Sequence, residues 1–233
     1  AFLDEASHTI KVYYLKSKDE GASKIKAYKI EMENQYDNFK LKTLRSDSAK
    51  DILESHQMRN WMSEHGIRAE VSPPHTHELN GMIERVMRTL MEPTRAIMNM
   101  GNLPRSLWPE ILQSVVHIKN RVPSSAIGGQ IPLEVLTGKT VSISHLRILG
   151  CDAYPLIKDP KRKKLDKKSD VFKLVGYGTD STTYRLWDPR KHQVILVRDV
   201  VFNENGYLRH YYQPYYNLFK DKQEQPFYWG SDF

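Results

Sequence analysis

Asp47, closing the run Leu44-Arg45-Ser46-Asp47, and Glu84, inside Asn80-Gly81-Met82-Ile83-Glu84-Arg85, are the side chains of this chain whose types and setting point most directly to chemistry. Carboxylate oxygens hold hard divalent cations such as Mg²⁺ or Mn²⁺, and a cation so held stabilises charge on a phosphodiester under attack. The surroundings are basic: a net charge of +7 and a pI near 9.3 favour a polyanionic partner, whether DNA, RNA or an anionic membrane surface. Arg85 and Arg88 flank Glu84, and between Lys158 and Lys173 eight Lys/Arg stand against three Asp. That basic run contains Lys161, Arg162, Lys163, Lys164, Lys167 and Lys168. Each feature also has a plainer account. Glu84 and Arg88 have the i,i+4 spacing of a surface helix pair worth about 0.3 kcal/mol, and a charge run is commonly a solvated loop.

The elements that must position the two acids alternate between strand and helix. At 233 residues, 39% hydrophobic and 27% charged, the chain can bury a real core and carry two domains. Lys11 to Leu15 is β-rich, and Ala22, Ile25, Tyr28 and Met32 fall at helical spacing. Phe39, Leu41 and Thr43 alternate with lysines as a strand running to Asp47. A carboxylate at the carboxyl end of such a strand points into the crevice where open α/β sheets bind ligands. Ile52 to Glu64 reads as a helix stopped by Gly66, and Ile67 to Val71 as a strand. A loop through Pro73 and Pro74 then delivers Glu84 on the first turns of a helix whose apolar face is Ile83, Val86 or Met87, Leu90 and Ile97. Pro93 is expected to kink that helix beyond the acid. The next helix, Leu107 to Val122, is expected to bury Trp108, Ile111, Leu112, Val115 and Ile118, and a short helical connector follows from Pro132 to Gly138.

Beyond the connector the composition changes. Ala153–Ile157, Phe172–Gly178, Tyr184–Asp188 and Val194–Phe202 read as short strands of a small β-barrel or sandwich. The stretch from Gly206 to Phe233 carries ten aromatic residues, better suited to covering another protein surface than to stacking on bases. Cys151 stands alone, which excludes an internal disulfide and a multi-cysteine zinc site and leaves a small packing residue. His75 and His77 are read as loop or phosphate contacts in preference to metal ligands. No apolar run approaches the roughly 20 residues of a membrane span, and acids stand at Asp4 and Glu5 where a signal peptide carries lysines. The expectation is a soluble intracellular protein with no membrane partner.

Leu44-Arg45-Ser46-Asp47, His65-Gly66-Ile67, Ser72-Pro73-Pro74-His75-Thr76 and Asn80-Gly81 leading to Glu84-Arg85 come in the order seen in integrases of copia-type retrotransposons. Leu103-Pro104, Trp108 and Asn120-Arg121-Val122-Pro123 extend the match, as do Lys164 to Ser169, Val175-Gly176-Tyr177 and Arg198 to Phe202. The chain therefore resembles a retroelement integrase of the D,D-E recombinase superfamily over nearly its whole length. The resemblance implies an α/β RNase H-like core, incomplete at its N-terminus, over residues 1–145, a small SH3-like β domain over 146–205, and an aromatic tail over 206–233. It implies Mg²⁺ or Mn²⁺ held by Asp47 and Glu84, 3′-end processing and strand transfer of element DNA into target DNA, and a homo-oligomer. It also places such a protein in the nucleus, or in a cytoplasmic retroelement particle before nuclear entry.

Some family features are missing. A His-His-Cys-Cys zinc module cannot be built with one cysteine, and the family's first catalytic aspartate lies on a strand before the one at which this chain opens. Asp4 matches an acidic position beyond that strand and is not given the missing role. Ser48-Ala49-Lys50-Asp51 replaces the family's Asn-Gly-Gly-Glu and brings a lysine beside the expected metal. A domesticated or degenerate integrase fragment that binds nucleic acid or protein without catalysis is the second reading, and a structural scaffold subunit the third. The basic run supplies a test. Replacing Lys161, Arg162, Lys163 and Lys164 with alanine is expected to flatten the slope of log K against log salt for duplex DNA by about two to four units, as read from binding titrations across a salt series. An unchanged slope would identify the run as a solvated turn.

Overall fold

The computed structural model describes residues 1–36, 39–46, 53, 55–71, 77–156 and 170–205, with the side chains of 71 and 77–80 left out. Two compact units result: residues 1–96 with 105–146, and residues 97–104 with those from 147 onward.

The first unit is built on two strand pairs. β1 (Phe2–Leu3) runs antiparallel to β2 (Ile10–Lys11), and β3 (Thr43–Ser46) runs parallel to β4 (Arg68–Val71), Thr43 opposite Arg68 and Ser46 opposite Val71. A parallel pair needs a crossover, and α2 (His56–Glu64) lies within it. Ser55 caps α2 by accepting the Met58 N–H at 3.3 Å, and Gly66, at φ 63°, lets the chain reverse into β4. α1 (Gly21–Gln35) turns Ile25, Tyr28 and Met32 onto a core completed by Leu41, Leu44, Leu53, Met58, Met62 and Ile67. α3 (His77–Met100) carries Glu84 and runs through Pro93, with Leu90 buried and Ile83 and Val86 half-buried. α4 (Trp108–Lys119) buries Ile111, Leu112, Val115 and Val116, and α5 spans Pro132–Thr137. Just past α4, Asn120 clasps β2: its Oδ1 accepts the Ile10 N–H at 2.9 Å and its Nδ2 donates to the Ile10 carbonyl at 2.8 Å.

Several expected elements are shorter than their composition suggests. The strand over Lys11–Leu15 exists only at Ile10–Lys11, because β1 offers two residues for pairing. The strand through Phe39 and Leu41 begins only at Thr43: the Leu41 N–H goes to the Glu33 carboxylate, and pairing with β4 starts where the Lys42 carbonyl accepts the Arg68 N–H. Trp108 is not core. It is 43% exposed at the first turn of α4 and stands edge-on to Tyr14 at 5.4 Å.

The second unit holds a five-stranded antiparallel sheet of β5 (Asp152–Pro155), β6 (Phe172–Tyr177), β7 (Tyr184–Asp188), β8 (Gln193–Val197) and β9 (Val200–Asn203), in spatial order β8-β7-β6-β5-β9. The expected single strand Val194–Phe202 is thus two strands, one at each edge. Laid flat, those edges would lie about 19 Å apart at strand spacings near 4.8 Å, yet Arg198 and Asp199 alone join them. Three Cα steps reach about 11 Å at most. The sheet must curl until its edges nearly meet, and Phe172, Leu174, Leu186 and Ala153 fill its buried face with Cys151 beside them. Gly178 is required at the β6–β7 hairpin, since a Cβ there would lie 1.9 Å from the Thr183 hydroxyl. Asp180 closes that turn by accepting hydrogen bonds from Thr182 and Thr183, which hold its carboxyl well below the usual carboxylate range.

Within the first unit His117 of α4 meets His145, Nε2 to Nε2 at 3.0 Å, and the Arg121 guanidinium donates to the His117 carbonyl. Burial above all, then the Arg121 charge and His145, push the His117 imidazole down to about 3. The folded protein therefore refuses a proton that the unfolded chain accepts below its ordinary value near 6.5. The stability held by neutral His117 is complete above that value and is lost as pH falls toward 3. Urea titrations across this window are expected to show a shallower loss of stability for His117→Gln than for the parent chain. Parallel curves would show that the ring titrates normally.

Candidate active site

Backbone pairing brings the neighbours of the two predicted carboxylates together. Ser46, the last residue of β3, and Ile83, on the second turn of α3, line one cavity of about 590 Å³ in the first unit. Asp47 itself lies outside the described residues. Glu84 is exposed, with no ion pair to Arg88 among the described residues. Arg85 and Arg88 are exposed on the same helix. Lys161, Arg162, Lys163, Lys164, Lys167 and Lys168 fall outside the described residues, as does His75; His77 opens α3.

Arg45, two residues before Asp47, has a structural role that its place in the Leu44-Arg45-Ser46-Asp47 run does not disclose. It holds Glu5 at 2.5 Å and Glu70 at 2.8 Å, the latter directly opposite it in the β3–β4 register. The Glu70 hydrogen bond, then the Glu5 charge, raise its pKa further. The signal was the register itself, which a single sequence does not carry. Asp4 accepts from the Ser7 N–H at 2.8 Å and the Ser7 hydroxyl at 2.6 Å, a turn-closing role. Among the described residues no three His, Cys, Asp or Glu side chains group to hold a metal ion, and no helix is long and apolar enough to cross a membrane.

Against known proteins, residues 151–213 match the retroviral polymerase SH3-like domain. The chain is 41% identical over 204 residues to the Retrovirus-related Pol polyprotein from transposon TNT 1-94 of Nicotiana tabacum, covering 88% of this chain and 15% of that protein. It is 29% identical over 203 residues to the Pol polyprotein from transposon RE2 of Arabidopsis thaliana, covering 87% of this chain and 14% of that protein. Its homologues are plant retrotransposon Pol polyproteins. The chain thus spans about a seventh of the length of such Pol polyproteins. A likeness to the cryoEM structure of a simian T-cell lymphotropic virus intasome in complex with PP2A regulatory subunit B56 gamma has a TM-score of 0.48 at 11% identity. It covers 84% of this chain and 68% of that one, too distant to settle a fold. Within this Pol-related stretch, the strand closing in Arg45-Ser46 and the helix carrying Glu84 line one cavity together with β1 and α1.

The Arg45 bridges are solvent-exposed, so their stabilising effect is small. Arg45→Gln is expected to lower stability by less than about 1 kcal/mol in urea titration. A loss of several kcal/mol would mean that the β3–β4 pairing depends on those charges.

Proposed function

We propose that this chain is the integrase region of a retrotransposon Pol polyprotein and acts on element DNA ends and target DNA by metal-dependent phosphoryl transfer. The observation that carries the reading is the 41% identity to a transposon Pol polyprotein across 88% of the chain, together with the match of residues 151–213 to the retroviral polymerase SH3-like domain. The local geometry is compatible with it. Glu84 is exposed on α3, whose Met82 and Ile83 line a cavity that β3 also lines, and the strand's next residue is Asp47.

Two carboxylates fit the donor chemistry of Mg²⁺ or Mn²⁺, which take oxygen ligands. Asp47 and Glu84 would hold the ion, which when bound supplies charge stabilisation to the attacking and leaving oxygens. Arg85 and Arg88, next to the acid, would set the register of a scissile phosphate, while the Lys161–Lys168 run would contribute sequence-independent affinity. An RNase H-like core, a homo-oligomeric assembly and action in the nucleus, or in a cytoplasmic particle before it, belong to the same proposal.

In the longer polyprotein product that contains this chain, Asp47→Asn or Glu84→Gln is expected to reduce strand transfer by at least about a thousandfold, the size of effect produced by removing a group that stabilises developing charge. Duplex binding should stay within about twofold. Strand transfer that survives both substitutions would remove the catalytic assignment and leave a non-catalytic binding module. Loss of binding together with activity would assign the two acids a structural role.

A further inference from the structure

Among the described residues five large apolar side chains are more than half exposed: Ile30, Ile143, Leu156, Leu196 and Val201. The last three lie on or next to the sheet of the second unit, and the register puts all three on its outer face. Ala153 is buried and stands opposite Phe172 and Phe202, so Asp152 and Tyr154 point outward, with Asn203 and Val201 opposite them. The Leu156 N–H donates to the Asp199 carbonyl, which carries the β5–β9 ladder one step further and turns Leu156 to the side of Tyr154. On β8, Ile195 stands opposite the buried Leu186 of β7, which leaves Leu196 outward beside Arg185. Val201, at 71%, is the most exposed of the five. Aliphatic side chains gathered on one face in this way mark a surface that another segment covers.

The chain supplies such a segment directly after β9. The SH3-like match runs to residue 213, whereas β9 ends at Asn203, so the sequence of the domain continues past its last strand. In that continuation Tyr207, Leu208, Tyr211 and Tyr212 have the spacing of one helix face. Arg209, His210 and Gln213 fall on the other face, and Pro214 is a stop. Residues 204–213 at helical rise extend about 15 Å, against about 13 Å for the four residues of β9. The length of the segment therefore matches the strand beside which it begins. Tethered there, it meets the outer face at an effective concentration in about the millimolar range.

We propose that residues 207–212 fold back on the outer face of the sheet and cover Leu156, Leu196 and Val201 with the Tyr207, Leu208, Tyr211 and Tyr212 side chains. The tyrosine rings would bury their apolar bodies against the aliphatic side chains and keep their hydroxyls in water. The cover uses neither Asp47 nor Glu84, so it stands or falls apart from the integrase reading.

The test uses the intact chain. Nuclear Overhauser contacts are expected between the methyl groups of Leu156, Leu196 and Val201 and the rings of Tyr207, Tyr211 and Tyr212. Trypsin cleavage after Arg209 gives a second reading, because its rate follows the fraction of molecules in which the segment is open. Val201→Asp changes a side chain that stands outside the core, and it is expected to speed that cleavage about tenfold. Tyr211→Ser should act in the same direction, and His210→Ser, on the polar face, should leave the rate unchanged. Absence of methyl–ring contacts overturns the proposal, as does equal cleavage of the parent and Val201→Asp chains. In a mixture of isotope-labelled and unlabelled chains, contacts that pass only between chains also overturn it, and make the occupant the tail of a second copy.

Discussion

Parallel pairing of β3 with β4 is the constraint on which the first unit depends. Parallel strands leave a sheet at the same end, so the chain departs from Ser46 toward Asp47 and from Val71 toward α3 at one edge. Holding that arrangement requires a crossover whose apolar face is buried. Met58 and Met62 of α2, with Leu44 and Ile67 at the strands, supply it inside one continuous core. Ser46 and Ile83 share a cavity because the pairing decides where each strand ends.

The second unit obeys a different constraint, the shortness of a connection. Two residues between β8 and β9 cannot cross a flat five-stranded sheet, so closure follows from chain length before any side chain is considered. Closure then sets the interior: small Ala153 and Cys151 stand beside Phe172 and Leu174, all with almost no exposure. It also accounts for the Cys151 thiol, pushed up to about 12 chiefly by burial, as an inert packing group. That curled five-stranded form belongs to the stretch matching the retroviral polymerase SH3-like domain.

Helices were more legible in the sequence than strands, for a physical reason. Ile25, Tyr28 and Met32 disclose α1 because a helix makes its hydrogen bonds within itself, and its buried face repeats in the sequence. A strand exists only where a partner does. Lys11–Leu15 has β composition yet pairs only at Lys11, while Phe39–Lys42 alternates correctly and loses the Leu41 N–H to Glu33. Trp108 sits in register with Ile111 and Leu112 yet lies at the helix end, beyond the reach of the core. The Arg45–Glu70 bridge and the Asn120 clasp join residues 25 and 110 positions apart, pairings that one sequence does not encode locally. For the candidate site, residue identity and order were readable, whereas the shared cavity emerged only from pairing.

An open sheet edge invites unwanted pairing with other chains, and folded proteins blunt such edges with charge. Here Lys40, Lys42 and Arg45 stand among Leu41, Thr43 and Leu44 along the approach to and length of β3, and Glu5 follows β1. The Arg45–Glu5 pair connects β3 to the turn after β1, and its exposure means that opening it costs little. Asn120 does the opposite at the far edge: by occupying both backbone groups of Ile10 it removes β2 as a competing template. Of the two edges of the antiparallel pair, one is sealed by a side chain and the other faces an apolar cavity.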